Sequence, residues 1–94
     1  MIGTVISIGK FLPDSNYYDL RFRLQGNFEA SPGQFVHISC GPGFTLRRPL
    51  SICEADEGIL RVCFERRGRG TGYLSKLMPG DTIDSLPPAG RGFK

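Results

Sequence analysis

Ninety-four residues are enough for one domain, 1–94, and too few for two. Apolar residues at 39% and aromatics at 11% exclude a disordered chain, and thirteen Gly with seven Pro favour a turn-rich β architecture over a helical bundle. The net charge of +3 is uneven: six of nine arginines (Arg47, Arg48, Arg61, Arg66, Arg67 and Arg69) lie between positions 47 and 69, pointing to an anionic partner, nucleotide phosphate or nucleic acid, or to a solvated basic face.

Thr4 to Lys10 is rich in β-branched residues and predicts a first strand, closed by a turn at Pro13-Asp14-Ser15-Asn16. In the next segment Tyr18, Leu20, Phe22 and Leu24 alternate with Asp19, Arg21, Arg23 and Gln25. That period of two predicts a strand with one buried face. Ser31-Pro32-Gly33 turns the chain into a third strand, Gln34 to Cys40, with Val36 and Ile38 on one face. Gly41-Pro42-Gly43 breaks it, and a fourth strand follows from Pro49 to Glu54. Proline cannot donate to a ladder, so Pro49 belongs at a strand start or an edge.

Asp56-Glu57-Gly58 reads as a hairpin turn into a fifth strand, Ile59 to Arg66, where Leu60, Val62 and Phe64 share a face. Thr71 to Met78 is the one helical candidate. Thr71 is placed to cap it, Leu74 and Leu77 share a side, and Pro79-Gly80 stop it. Asp81 to Leu86 makes a sixth strand, and Pro87 to Lys94 has the composition of a linker or domain edge. Six short strands and one short helix predict an all-β fold, a small antiparallel barrel or sandwich.

Three cysteines, Cys40, Cys53 and Cys63, show no C-x-x-C spacing, so a metal or cluster site from this chain alone is not expected. They read as buried or half-buried free thiols in a reducing cytoplasm. No apolar run nears the ~20 residues of a membrane-spanning helix. The start, Met1-Ile2-Gly3-Thr4, lacks the pattern of a secretory signal. His37, the single histidine, has no nucleophile signature around it and takes a structural reading.

Two features carry chemistry. Arg48 precedes Pro49, which biases its backbone to an extended conformation and aims its guanidinium from a stiff strand end. A guanidinium there offers a planar fork to a phosphate; taken alone it equally fits a surface ion pair. Gly68-Arg69-Gly70-Thr71 sits where a helix begins, so backbone N–H groups and the Thr71 hydroxyl would face an anion. The same tetrapeptide also serves any strand-to-helix turn. Ser51 is a hydroxyl on the strand after Arg48, available to a ligand heteroatom or to backbone.

Taken in order, Pro32-Gly33-Gln34-Phe35-Val36, Leu46-Arg47-Arg48-Pro49-Leu50-Ser51-Ile52, Gly70-Thr71, Pro79-Gly80-Asp81 and Gly90-x-Gly92-Phe93 resemble the flavin domain of the ferredoxin–NADP reductase superfamily. Within it, the R-P-[IL]-S-I strand and G-[KR]-G-T turn are similar to the electron-transfer subunits of the dihydroorotate branch. The resemblance implies a six-stranded antiparallel Greek-key barrel that binds FAD. It implies that Arg48 contacts the pyrophosphate and that Pro49, Leu50 and Ser51 line the isoalloxazine. Phe64, Glu65 and Arg66 would pass the ribityl or adenosine portion, with Gly70 and Thr71 as pyrophosphate donors. Many superfamily members carry Tyr where Leu50 stands; an aliphatic residue is usual in this branch.

The same resemblance implies an NAD-binding domain after Phe93, then a cysteine-rich [2Fe–2S] segment, and a catalytic dehydrogenase subunit as partner. None of these lies within 1–94, so the chain is expected to be an excised flavin domain, not competent alone for NAD turnover. No nucleic acid or membrane partner is expected on this reading. The competing readings are a non-enzymatic basic β-barrel binding nucleic acid, resting on the arginines with Phe64 and Tyr73 nearby, and a purely structural interaction domain.

Overall fold

A computed structural model of the protein describes residues 1–41 and 47–90. Pro42-Gly43 of the predicted break, Leu46 of the arginine motif and Gly92-Phe93 of the tail lie outside the described residues. The elements run β1 (Ile2–Lys10), β2 (Tyr17–Leu24), β3 (Phe35–Ile38), β4 (Arg48–Asp56), β5 (Ile59–Glu65), α1 (Arg69–Ser75) and β6 (Thr82–Asp84). All six predicted strands and the helix are present, with shifted ends.

The strands form one antiparallel sheet in the order β3-β4-β5-β2-β1-β6. Three hairpin-connected strands, β3, β4 and β5, are joined at β5 by β2, whose long connection returns to β3. That arrangement is a Greek key. The sheet then curls until its two ends meet. Beyond β6 the chain runs along β3 through bridges Ile38–Ser85 and Phe35–Ala89. Ser39 N–H donates to Asp84 O at 2.9 Å, and Leu86 N–H to His37 O at 3.0 Å. This closing seam gives β3 and β6 the hydrogen-bond partners that open edges would lack.

Alternation decides what fills the barrel. Tyr18, Leu20, Phe22 and Leu24 of β2 point inward, as do Val36 and Ile38 of β3, Leu50 and Ile52 of β4, and Leu60, Val62 and Phe64 of β5. Tyr18 and Phe64 stack at 5.6 Å between ring centroids, with 11° between planes. The β4–β5 hairpin turns at Glu57 (φ 49°) and Gly58 (φ 84°). Two consecutive positive φ values match the twist of the flanking strands.

The helix corrects the sequence expectation. It starts at Arg69, with Gly68 as its N-cap, so Thr71 is the third helical residue rather than the cap. From there the Thr71 Oγ1 reaches back, accepting N–H bonds from Arg67 at 2.7 Å and Gly68 at 3.2 Å. The helix ends at Ser75, well before Pro79. Leu74 and, just past the helix, Leu77 are buried against the barrel as their spacing predicts.

Candidate functional site

β4 delivers its first residues to the rim of the barrel. Arg48, Pro49 and Ser51 are exposed there while Leu50 between them is buried at 6% exposure. Beside them lie the end of β5, the start of β2 and the first turn of α1. Together Tyr17, Arg48, Pro49, Leu50, Ser51, Cys63, Phe64, Glu65, Arg67 and Thr71 enclose a cleft of about 400 Å³. Seven of the nine residues singled out from sequence therefore share one cleft.

The other two lie next to it. Arg66 belongs to an adjoining hollow of about 760 Å³ lined also by Gly68, Arg69, Gly72, Tyr73 and Lys76, and Arg67 is common to both. Gly70 lines neither hollow. It is buried, and a Cβ there would stand 3.0 Å from Arg48 Nε and 3.3 Å from Cys40 Sγ. Its missing side chain is the space through which the Arg48 side chain passes.

The two consecutive arginines divide their work. Arg47 Nη1 donates to the Asp84 backbone carbonyl at 2.9 Å, and Nη2 to Asp84 Oδ2 at 3.2 Å. That hydrogen bond is the main reason the Asp84 carboxyl lies below the usual carboxylate range. Arg48 makes no ion pair among the described residues. Burial pushes the Cys40 thiol up, and the Arg48 cation partly offsets the rise. Arg61 is held by Asp19 at 3.0 Å and Glu54 at 2.8 Å, and Arg67 pairs with Glu65. Of the arginines on the smaller cleft, Arg48 is thus the uncommitted cation.

At the turn into α1, Thr71 occupies the N–H groups of Arg67 and Gly68. The first N–H groups of the helix itself, at Arg69 and Gly70, have no intrahelical acceptor. The uncommitted Arg48 guanidinium and the first turn of α1 therefore stand together at one end of the barrel.

Tyr17 and Cys63 line the cleft without a site signal in the sequence, and Arg67, named there only as one of the clustered arginines, joins them. Tyr17 is half exposed and enters through the β2–β5 pairing, in which it sits opposite Glu65. Local sequence carries no signal for that pairing. Cys53 is exposed, which corrects the expectation of buried or half-buried thiols for all three cysteines. Among the described residues no group of three or more His, Cys, Asp or Glu could hold a metal ion. Among the described residues no helix is long and apolar enough to cross a membrane.

No protein-family profile matches the chain. Over 66% of its length it is 44% identical to the electron transfer subunit of dihydroorotate dehydrogenase B (NAD(+)) from Bacillus caldolyticus, covering 26% of that protein. It superposes over its whole length on an NADH-dependent reduced ferredoxin–NADP oxidoreductase, with TM-score 0.79, 26% identity and 34% of that chain covered. On a Plasmodium falciparum ferredoxin–NADP⁺ reductase the TM-score is 0.83 at 18% identity, over 99% of this chain and 40% of that one. The barrel is the one these reductases share, and the chain belongs to the ferredoxin–NADP reductase superfamily. Within that superfamily, its sequence similarity is to the electron transfer subunits of dihydroorotate dehydrogenase B. The chain spans about a quarter to a third of the length of these curated relatives, from 26% to 32%.

Proposed function

We propose that this barrel is the FAD-holding part of an NAD-linked electron-transfer subunit of the dihydroorotate dehydrogenase type. The observation that carries the reading is convergence: the Arg48–Ser51 strand, the Phe64–Glu65 strand end and Thr71 meet at one cleft, with Arg48 uncommitted. The Gly70 gap supports the same ligand, since it seats Arg48 against the helix start.

In this assignment Arg48 and the N–H groups beside Gly70 and Thr71 bind the pyrophosphate. Pro49 and Ser51 present the exposed strand to the isoalloxazine, with Leu50 and Phe64 as the apolar floor beneath it. Glu65 and Arg66 flank the ribityl or adenosine portion. Bound FAD would supply the exchange between paired and single electrons that links a nicotinamide to an iron–sulfur cluster. An NAD-binding domain and a [2Fe–2S] segment elsewhere in the subunit, with a catalytic dehydrogenase subunit, are the partners this implies. Free thiols accord with a cytoplasmic setting.

The nucleic-acid reading finds no support. Phe64 is buried at 5% exposure and stacked on Tyr18, so it has no free face for a base. Arg47, Arg61 and Arg67 are tied to carboxylates. Titration of the chain with FAD, followed by flavin fluorescence quenching and retention through gel filtration, tests the proposal. Arg48→Ala should weaken FAD binding by roughly tenfold or more, the weight of a hydrogen bond to a charged group. Unchanged affinity would remove Arg48 from the site, and no binding by the native chain would remove the assignment.

A further inference from the structure

Cys53 and Cys63 lie on neighbouring strands with their Sγ atoms 3.1 Å apart. The β4–β5 ladder pairs Ile52 with Val62 and then shifts register before Glu54, which leaves Cys53 in an irregular, exposed stretch of β4. Ile52, Val62 and Phe64 point into the core, so Cys53 and Cys63 share the outer face. Cys63 is half-buried and forms part of the cleft wall. Cys40, the third thiol, is fully buried and donates to the Ile38 carbonyl at 3.6 Å. An S–S bond is about 2.05 Å long, so the pair is within about 1 Å of bonding distance. A register irregularity leaves the ladder locally disrupted and the extra residue unpaired.

We propose that Cys53 and Cys63 form a reversible redox site, a dithiol that closes to a cross-strand disulfide on the cleft wall when it meets a small-molecule disulfide. The exposed Cys53, as thiolate, attacks one sulfur of the oxidant and expels the other half as a thiol, leaving a mixed disulfide on Cys53. Cys63 then loses its proton and attacks the Cys53 sulfur, expelling the second thiol. One oxidant disulfide is reduced to two thiols, and one protein dithiol is oxidised to one disulfide.

The environment assigns the order. Burial, reinforced by the adjacent Cys53 sulfur, pushes the Cys63 thiol up to about 12, with Arg61 opposing the rise. Cys53 is the exposed sulfur that a soluble oxidant reaches first, so half-buried Cys63 is the resolving rather than the attacking sulfur. Closure joins β4 to β5 along one wall of the cleft, where Cys63 stands.

The test treats the reduced native chain with oxidised glutathione, traps remaining thiols with an alkylating agent and reads intact and peptide masses. The expected product has lost two hydrogens, keeps one alkylatable thiol at Cys40 and yields a cross-linked pair of peptides carrying Cys53 and Cys63. Reduced glutathione in excess should return all three thiols, and Cys40→Ser should close as the native chain does. Cys53→Ser should yield no intramolecular cross-link. A lasting glutathione adduct on Cys53 with Cys63 still alkylatable would overturn the proposal. So would three free thiols after prolonged exposure, or a cross-link that includes Cys40.

Discussion

At the scale of single residues, Gly70 and Arg48 work as one device. Gly70 sits in the first turn of α1, where alanine would ordinarily stabilise a helix by about 1 kcal/mol relative to glycine. Its value lies instead in the space it leaves: an added Cβ would crowd Arg48 Nε at 3.0 Å and Cys40 Sγ at 3.3 Å. The guanidinium stem is flexible, so it would yield, and the guanidinium would leave the position from which it faces the cleft. Gly70→Ala should therefore keep the thermal midpoint close to that of the native chain while FAD affinity falls severalfold. Thermal melts and FAD titrations of the same preparation check this. A variant that loses affinity only in proportion to lost stability would show that Gly70 matters for folding alone.

At the scale of elements, the seam between the chain start, β6 and the segment entering β4 rests on Asp84. Arg47 binds its carboxylate and its backbone carbonyl, and the terminal ammonium of Met1 stands 3.8 Å from Oδ1 while donating to the Ser85 carbonyl. The carboxyl is held below its ordinary value of ~3.9, so its contribution is present above that pH and is lost as pH falls through the folded-state value. With the side chain 50% exposed, solvent screening keeps the contribution below about 1 kcal/mol. Asp84→Asn should melt slightly lower than the native chain at neutral pH, and the gap should close below about pH 4. Melting curves of both chains across that range decide it; a gap independent of pH would mean that the charge contributes nothing.

The same elements show what the sequence made legible. The β2 alternation and the Leu74/Leu77 pair follow from side-chain period alone, and the structure buries those residues. The arginine strand and the glycine turn were found as motifs, because their chemistry is local. Tyr17 and Cys63 carry no such local signal, and Arg67 is visible only as one of the clustered arginines, because their place at the cleft comes from β2–β5 pairing and the return of the chain after β5. Thr71 was misread as a cap for a related reason: a hydroxyl at the third helical position can also satisfy the orphan N–H groups, and only the backbone reveals which geometry holds.

At the scale of the whole molecule, the cleft depends on the closed barrel behind it. Phe22 is fully buried in β2, with Val5 of β1 and Leu60 of β5 as register partners, so it joins the strands on either side of the central ladder. Its floor role is indirect: it packs the same interior that holds Leu50 and Phe64 under the cleft. Truncating a buried phenylalanine to alanine costs about 3–5 kcal/mol. Small domains have only about 5–15 kcal/mol in total. Phe22→Ala should thus shift the urea midpoint far down and lower FAD binding only as the folded fraction falls, with added FAD partly restoring the midpoint by mass action. Arg48→Ala should do the reverse, keeping the midpoint without FAD and losing the shift that FAD produces. Urea titrations of the two variants, with and without FAD, separate the scaffold from the ligand contact. Equal behaviour would mean that Arg48 belongs to the barrel's stability rather than to its ligand.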